Sequence, residues 1–327
     1  MNNSQELSMN AVLCEAYGPP ETLKIARVDK PTVPEDGVLV RVHASSVNIA
    51  EWYAMTGLVI TRLGGRSRPK ASRLGADFSG VVEAVGQGVS DFKPGDEVFG
   101  GRSGAFAEYV TVQKAIALKP ANVTFEEAAS VPTAGITALQ GLRDFGKIRP
   151  GQKVLINGAS GGVGTFAVQV ARAFGAEVTA VCSTRNVEHA RALGAHHVID
   201  YTREDFTRSD QKYDLLFDVA GSKSWFKVRR ILQPNAIVVI AGGPRSPLVG
   251  PLGHILGMRI ASLGSRRKVV FFMAKFNKED MLVLKDLLET GKIKPFVERT
   301  YPLSRVAEAM RYLGEGHAMG KIVVTMR

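Results

Sequence analysis

The chain has 327 residues, a formal net charge of +11 and two cysteines, Cys14 and Cys182. This length suggests two domains, at roughly 100–200 residues for each, and two distant cysteines exclude a disulfide framework or a cysteine-rich metal lobe. The polar first ten residues lack the apolar stretch of a signal peptide, and no run of residues is apolar enough for a membrane span. We therefore expect a cytoplasmic protein without membrane insertion.

The positive charge is partly concentrated in one stretch that contains no acidic residue. Its basic residues are Arg62, Arg66, Arg68, Lys70 and Arg73. A basic surface attracts nucleic acids or smaller anionic ligands. This stretch also contains glycine, proline and serine, and it lacks the interleaved aromatic residues of a single-strand binder. We interpret it as a solvated basic loop and do not expect a nucleic-acid partner.

Short strands separated by turns make up most of the first 128 residues. The predicted strands are Ala11–Ala16, Leu23–Val28, Gly37–Ser46, Phe78–Val85, Glu97–Gly100, Ala107–Val112 and Ala115–Lys119. Segments rich in proline and glycine, such as Lys93–Asp96, mark the turns. This pattern predicts a β-rich, partly barrel-like module, followed by helices at Phe125–Ala128 and Thr137–Phe145.

A buried strand, a glycine turn and a helix are predicted in succession from Val154 onward. The apolar run Val154–Ile156 precedes the turn 158–164, and apolar residues then recur at helical spacing. Gly161 lets the backbone approach a ligand, Gly164 lets the helix lie close to the strand, and free amides at the helix start attract phosphates. The expected pyrophosphate-binding residues are Ser160, Gly161, Gly162 and Val163. Because Ala159 replaces the first glycine of the G-x-G-x-x-G motif, an ordinary strand-to-helix connection remains an alternative.

The elements after this turn favour dinucleotide binding. The strand Glu177–Cys182, the helix Asn186–Leu193 and the strand His197–Asp200 complete a βαβαβ unit. Further strands are predicted at Asp214–Val219, Ala236–Ala241 and Met258–Leu263. The remaining elements are the helix Lys278–Thr290, the strand Phe296–Tyr301, the helix Ser304–Leu313 and the strand Lys321–Met326. We predict an α/β fold with a Rossmann doubly wound parallel sheet in residues 129–267, while residues 1–128 and 268–327 form the β-rich domain.

The end of the strand Glu177–Cys182 indicates which nicotinamide cofactor binds. NAD-binding folds place an acid there for the adenosine ribose hydroxyls, but no acid follows this strand before Glu188. Hydroxyls and a guanidinium instead suit the 2′-phosphate of NADPH. The expected phosphate ligands are Ser183, Arg185, Asn186 and Tyr201. Arg185 is also compatible with a solvated surface charge.

The chain resembles the zinc-free NADPH:quinone reductase (ζ-crystallin-like) group of the medium-chain dehydrogenase/reductase superfamily. The most specific block runs from Gly151 to Gly164 and on to Gln169 and Arg172, and it satisfies the group's signature. Other matching blocks are Val47-Asn48, Gly75–Gly80, Pro94–Val98, Ala107–Tyr109 and Gly316–Lys321. The resemblance covers nearly the whole chain and implies a GroES-like fold for the β-rich substrate domain.

The resemblance also implies chemistry without zinc. Zinc-dependent relatives have a cysteine at the position of Asn48 and a histidine at that of Ala76, and neither replacement supplies a zinc ligand of that kind. A saturated ketone needs a Lewis acid or a proton relay to stabilise the alkoxide. A quinone or an α,β-unsaturated carbonyl accepts hydride into a conjugated system. We therefore expect NADPH-dependent reduction of quinones, enals or enones.

Site residues also follow from the resemblance. Asn48 is expected beside the nicotinamide, and Tyr53 is expected to donate a hydrogen bond to the developing oxyanion. A turn or cap role for Asn48 and simple packing of Tyr53 remain alternatives. The group usually has Pro and Asp where this chain has Ile49 and Glu51. Further expected cofactor contacts are Thr137, Gly242, Gly243, His317 and Ala318, with a structural role for His317 as the alternative.

Two other functions stay open. One is an NADP-dependent alcohol or carbonyl 1,2-reductase, and the other is a non-enzymatic nucleotide- or RNA-binding protein, which the basic charge permits.

Relatives pair a sheet edge across a two-fold axis. We expect the strand Met258–Leu263 to form such an edge, and hence a homodimer.

Overall fold

The computed structural model describes residues 7–57, 69, 72–244 and 251–326. Contacts within the chain define two compact units. The first comprises residues 1–133, 276–291 and 295–327, and the second comprises residues 134–275 and 292–294. Of the predicted basic loop, Arg62, Arg66, Arg68 and Lys70 lie outside the described residues, whereas Arg73 lies within them.

The described residues form fifteen strands and nine α-helices. The strands are β1 (Ser8–Leu13), β2 (Lys24–Asp29), β3 (Val38–Ser46), β4 (Asp77–Val85), β5 (Glu97–Gly101), β6 (Tyr109–Val112), β7 (Ile116–Leu118), β8 (Lys153–Asn157), β9 (Glu177–Cys182), β10 (His197–Asp200), β11 (Tyr213–Asp218), β12 (Leu232–Ile240), β13 (Lys268–Phe271), β14 (Val297–Pro302) and β15 (Lys321–Thr325). The helices are α1 (Ile49–Thr56), α2 (Phe125–Ala129), α3 (Pro132–Gln140), α4 (Gly162–Ala173), α5 (Val187–Ala192), α6 (Trp225–Val228), α7 (Leu252–Ala261), α8 (Lys278–Glu289) and α9 (Val306–Glu315). None of these helices is long and apolar enough to cross a membrane.

The first unit is built around a seven-stranded sheet with the order β14-β15-β3-β4-β5-β7, in which β6 also pairs with β3. All of its pairings are antiparallel except β14 with β15. Val40, Phe78 and Val98 are fully buried in its core. The prediction of a β-rich module is confirmed, although β1 lies at Ser8–Leu13 rather than Ala11–Ala16, in register with β2.

The second unit contains a six-stranded parallel sheet with the order β10-β9-β8-β11-β12-β13. This is the doubly wound order that the Rossmann prediction requires, because the strand order reverses between β8 and β11 while the strands stay parallel. The central strands are nearly continuous apolar runs because helices cover parallel sheets on both faces. Leu155, Val181 and Val238 are fully buried.

The prediction of a strand at Met258–Leu263 is wrong, because residues 258–261 belong to α7. Ile255 and Met258, three residues apart on α7, are both buried against the sheet core, a helical rather than an alternating pattern. The edge strand is instead β13, Lys268–Phe271, which pairs with β12. For the same reason the second unit extends to Lys275 and not only to residue 267.

The helix expected at Thr137–Phe145 also differs. The observed helix, α3, begins at Pro132, and proline is favoured in the first turn of a helix. Helix α3 ends at Gln140 and is followed by a π-helical turn at Gly141–Phe145. A Cβ at Gly141 would lie 2.4 Å from the Phe217 ring. Glycine therefore allows this turn to approach the sheet.

Two buried glutamines fix the chain at the points where it leaves the second unit. Gln140 Nε2 donates to the Lys275 carbonyl at 2.7 Å, and the Lys275 amide donates to Gln140 Oε1 at 3.0 Å. Gln169 makes the same pair of bonds with Lys294, at 3.1 and 2.8 Å. This pairing gives a structural reason for Gln169 in the signature block.

Candidate functional site

The turn between β8 and α4 contains two glycines with different roles. A Cβ at Gly164 would lie only 2.0 Å from the Gly158 carbonyl oxygen. A Cβ at Gly161 would meet nothing nearer than 3.7 Å. Close packing of α4 on the turn therefore explains Gly164, whereas the space in front of Gly161 is open to a ligand.

The N-terminus of α4 has no side-chain cap. Its N-cap residue is Gly161, and Ser160, Gly161, Gly162 and Val163 are all half-buried. The first amides of a helix have no partner within the helix, and the dipole of this 12-residue helix adds partial positive charge there. The four residues predicted to bind pyrophosphate thus lie at an accessible helix start, which is a position that suits an anion. Their contact with a cofactor stays a prediction.

Asn186 links this turn to the end of β9. Its buried side chain donates from Nδ2 to Ser160 Oγ at 3.0 Å and to Ser183 Oγ at 3.1 Å. Its Oδ1 atom is buried and has no hydrogen-bond partner in the described part of the chain. Because an unpaired buried acceptor costs free energy, this atom fits a hydroxyl donor of a bound nucleotide. Ser160, Ser183 and Asn186, which are three of the predicted cofactor-binding residues, therefore lie next to one another.

An acid lies near these residues, at the end of β10 rather than of β9. Asp200 accepts hydrogen bonds from Thr184 Oγ1 at 2.6 Å and from the amide and hydroxyl of Thr202 at 3.0 and 2.7 Å. Its Oδ2 lies 3.4 Å from Arg203 Nε. The Thr184 hydrogen bond, foremost among these contacts, lowers the pKa of Asp200. Sequence reasoning looked for an acid only at the end of β9 and, from the end of β10, took only Tyr201 as a ligand, so it missed Asp200.

Arg185 and Tyr201 are the exposed members of the predicted phosphate site. Arg185 lies in a short 3₁₀ turn directly after β9. The Tyr201 amide donates to the Cys182 carbonyl at 3.0 Å, which places Tyr201 beside the end of the same strand. Both side chains are accessible to a ligand at this strand end.

Hydrogen bonds between the ends of β8 and β11 stiffen the carboxyl edge of the parallel sheet. Asp218 Oδ1 accepts from Asn157 Nδ2 and from the Gly221 amide, both at 2.8 Å. Asp218 Oδ2 lies 3.1 Å from His254 Nε2. Ligands of parallel α/β sheets bind outside this edge, so the edge beside the phosphate turn is held in place by these bonds.

Packing accounts for two other glycines that were predicted to contact the cofactor. A Cβ at Gly242 would lie 2.3 Å from the Val219 carbonyl oxygen, and one at Gly243 would lie 2.8 Å from Pro251 Cβ. Thr137 is half-buried on α3. Contact of Gly242, Gly243 and Thr137 with a cofactor stays a prediction.

In the first unit, Asn48 is the N-cap residue of α1 and lies in a buried polar cluster, here called the Asn48 cluster (Ser46, Asn48, Glu51, Asp77 and Lys321). Asn48 Nδ2 donates to Asp77 Oδ2 at 2.9 Å and to the Ser46 carbonyl at 3.2 Å, and Asn48 Oδ1 accepts from Lys321 Nζ at 2.6 Å. Both amide hydrogens of Asn48 are therefore used within the protein.

Asp77 is fully buried and anchors this cluster. Its Oδ2 accepts from Ser46 Oγ at 2.6 Å, and its Oδ1 accepts from the amide and hydroxyl of Thr133 at 2.8 and 2.5 Å. Such acceptor-only bonding is the pattern of a carboxylate. Lys321 Nζ lies 3.5 Å from Asp77 Oδ2. Burial lowers the pKa of Lys321, and the negative charge of Asp77 opposes that effect.

Glu51, in the first turn of α1, is also buried. Its Oε2 accepts from the Asn48 amide at 2.8 Å. Its Oε1 makes no hydrogen bond of normal geometry within the described residues, although the Ala76 amide faces the carboxyl. Burial, and next the negative charge of Asp77, raise the pKa of Glu51 to about 8. Both effects favour the neutral form of the Glu51 carboxyl at neutral pH.

The other predicted residues of this unit have less distinctive surroundings. Tyr53 is half-buried on α1. His317 is exposed in the turn before β15, and Ala318 packs on the apolar core that includes Met310. Contact of these residues with cofactor or substrate stays a prediction.

The residues around Asn48 do not fit a catalytic zinc. No group of three or more His, Cys, Asp or Glu side chains suited to a metal occurs in residues 7–57, 69, 72–244 and 251–326. Asn48 Oδ1 faces the Lys321 ammonium, whose charge repels a cation. The thiols of Cys14 and Cys182 are both buried, one in each unit.

Sequence reasoning did not predict that Asp77, Glu51 and Lys321 would meet. Asp77 and Lys321 both lie in blocks that matched the family, which was a signal for each alone. Lys321 also begins the buried run Ile322–Val324. Nothing in the sequence shows which acids face that lysine, because the helix and the strand that supply them are distant from it in the chain.

A Rossmann sheet with an anion-binding helix start, linked to a β-rich unit, defines a two-unit nucleotide-binding protein. The family model for the alcohol dehydrogenase GroES-like domain matches residues 34–122, and that for zinc-binding dehydrogenase matches residues 193–324. The chain is 33% identical to the 2-methylene-furan-3-one reductase of Solanum lycopersicum, over 94% of this chain and 76% of that protein. It is 33% identical to the chloroplastic NADPH-dependent alkenal/one oxidoreductase of Arabidopsis thaliana, over 97% and 79%.

A solved structure adds to this comparison. The Escherichia coli quinone oxidoreductase complexed with NADPH superposes with a TM-score of 0.81 at 26% identity, covering 97% of this chain and 99% of that one. The chain belongs to the medium-chain dehydrogenase/reductase family. It is an oxidoreductase with a nucleotide-binding Rossmann domain and a GroES-like N-terminal domain.

Proposed function

We propose that this chain is an NADPH-dependent reductase that transfers hydride, without zinc, to a quinone or to an α,β-unsaturated carbonyl such as an enal or enone. The main support is the uncapped helix start at Gly161–Val163 beside the unpaired buried Oδ1 of Asn186. Two relatives carry the names of reductases for such acceptors, and the Escherichia coli structure is a complex with NADPH.

The preference for NADPH over NADH rests on the end of β9. Hydroxyl and guanidinium groups are available there from Ser183 and Arg185, and both suit a 2′-phosphate. The nearby Asp200 already accepts three hydrogen bonds and faces Arg203. Its carboxylate is therefore engaged and is not free to bind the two ribose hydroxyls of NADH.

The protein's own contribution to the reaction is binding and orientation. The bound nicotinamide supplies the hydride. The amides of Gly162 and Val163 hold the pyrophosphate, since the Gly161 amide already donates to the Gly158 carbonyl at 3.3 Å. Asn186 fixes Ser160 and Ser183 relative to each other. A conjugated acceptor spreads the negative charge that it receives onto oxygen, so correct placement of the two reactants supplies much of the acceleration.

Independence of zinc is part of the proposal. It is supported by the ammonium of Lys321 on Asn48 Oδ1, the position at which zinc-dependent relatives have a thiolate. A cation at that point would be repelled, and an amide is a poor ligand for zinc.

The test is a comparison of acceptors and cofactors with the purified full chain. We expect NADPH oxidation with a quinone or a 2-alkenal, at least tenfold weaker use of NADH, and no loss of activity after dialysis against a chelator. Turnover of saturated aldehydes alone would establish a 1,2-reductase instead. RNA binding at micromolar strength in physiological salt, with no acceptor reduced, would establish the non-enzymatic alternative.

We also propose a homodimer through β13. Its outer edge has no partner strand among the described residues, and unpaired edges favour pairing with another chain. Exposed apolar side chains belong to the same unit: Leu256, Ile260, Leu263 and Met273. Light scattering should give twice the chain mass, and half that mass for Val270→Pro; a monomeric native chain would contradict the proposal. A cytoplasmic location likewise stays a proposal.

A further inference from the structure

The Asn48 cluster contains a buried acid that the proposed reaction does not use. Glu51 is 7% exposed, and only its Oε2 has a hydrogen bond of normal geometry, to the Asn48 amide. Because an ionised carboxylate accepts several hydrogen bonds, a carboxyl with one bonded oxygen is better suited to the neutral form.

Lys321 is the group that a charge on Glu51 would disturb. Its Nζ makes one short hydrogen bond, at 2.6 Å to Asn48 Oδ1. Its contacts with the Val47 carbonyl and with Asp77 Oδ2 are both 3.5 Å long. An ammonium has three N–H donors, so two of them are weakly engaged and are available to a new anion.

The groups that act on Glu51 come from two strands. Asp77 on β4 disfavours its ionisation, Lys321 on β15 favours it, and burial is the largest influence. Helix α1 contains no other acidic or basic residue. Helix α9 also packs on α1, through Gly314 against Trp52, but its Glu308 and Arg311 pair with Arg305 and Glu21.

We propose that Glu51 is a positioning residue: while uncharged it leaves Lys321 bonded to Asn48, and when ionised it draws the ammonium to itself and releases the Asn48 amide. This inference rests on the proposed function and on the sequence-based expectation that Asn48 lies beside the nicotinamide. Ionised Glu51 also leaves two carboxylates facing one ammonium, so the cluster becomes negative. Reductase activity therefore requires neutral Glu51 and decreases at alkaline pH.

The test is the pH dependence of kcat/KM in Glu51→Gln, with Glu127→Gln as the matched control. Glu127 on α2 makes the same bond to an N-cap amide, that of Thr124 at 2.9 Å, but it is only half-buried. With a pKa of about 8, the native enzyme should lose roughly 30-fold in kcat/KM between pH 7 and pH 9.5. Glu127→Gln should show the same loss, and Glu51→Gln should remove it.

The activities of Glu51→Gln and Glu51→Ala at pH 7 distinguish a positioning role of the Glu51 carboxyl from a role in which its side chain only fills space. Glutamine mimics the neutral carboxyl, so Glu51→Gln should recover most of the activity that Glu51→Ala loses at pH 7. An unchanged alkaline loss in Glu51→Gln would overturn the inference.

A measurement on the native chain does not depend on either variant folding. Infrared difference spectra between pH 6.5 and pH 9.5 should show the loss of a protonated carboxyl band, and absence of that band at pH 6.5 would overturn the inference. This titration needs no substrate. If no acceptor were reduced at any pH, the proposed function would fail, but the infrared spectra would still test the protonation of Glu51.

Discussion

The N-termini of helices α4 and α1 differ in whether side chains of the protein already bind there. At α4 the N-cap is Gly161, with no side-chain cap, and the first residues are half-buried. At α1 the N-cap is Asn48, whose amide is bonded to Glu51 and whose side chain is bonded to Asp77 and Lys321. The first start is open to an anion, whereas the second is occupied by the protein's own side chains.

From this difference we expect a helix start to bind an anion only where the protein's own groups do not already satisfy the free amides. At α4 we expect the backbone amides to bind the anion, so that a substitution acts through shape. In the Asn48 cluster three buried ionisable side chains balance one another, and substitution matters through charge. The two sites should therefore respond differently to mutation and to pH.

The largest expected effect is that of Lys321→Met. Removing the ammonium leaves Asp77 buried without its cation, and loss of one partner of a buried ion pair costs about 3–5 kcal/mol. Urea unfolding should show that decrease in stability. The control is Lys24→Met, in which an exposed ion pair with Glu15 is lost at a cost of under about 1 kcal/mol. Equal effects of the two substitutions would contradict the account of the cluster.

The stability of the native chain should also depend on pH through Glu51. The folded protein keeps the Glu51 proton up to about pH 8, whereas the unfolded chain loses it near pH 4.5. The free energy of unfolding should therefore decrease between these values, by on the order of 1 kcal/mol per pH unit. Lys321, whose pKa is lowered, acts in the opposite direction at more alkaline pH.

Glu51→Gln provides the comparison for this pH dependence. The variant should show a flatter profile of melting temperature between pH 5 and pH 8 than the native chain. Identical slopes in the two proteins would mean that Glu51 is not neutral in the folded state.

The phosphate turn could be predicted from the sequence because its chemistry is local. Strand, glycines and helix follow one another within residues 153–173, and Ser183 and Asn186 follow the next strand. The Asn48 cluster could not be predicted, because Lys321 approaches Asn48 across 273 positions. Asp200 was missed for a related reason: parallel pairing places the end of β10 beside that of β9.

The wrong strand at Met258–Leu263 has a different cause. It is a short, mainly apolar segment, and such a segment suits a strand as well as part of a helix. Burial of Ile255 and Met258 against the sheet decides between them, and tertiary packing of that kind is not visible in the sequence.

The central claim is that the open amides of Gly162 and Val163, at the start of α4, bind the cofactor's pyrophosphate. Titration of the native chain, Gly161→Ala and Gly164→Ala with NADPH, alongside their melting temperatures, tests it most directly. Gly161 has φ −80° and room for a methyl group, so Gly161→Ala should melt like the native chain but bind NADPH at least about tenfold more weakly, or 1.4 kcal/mol. Gly164→Ala should instead lower the melting temperature through its 2.0 Å clash. Unchanged NADPH affinity in a folded Gly161→Ala protein, or no binding by the native chain, would contradict the account.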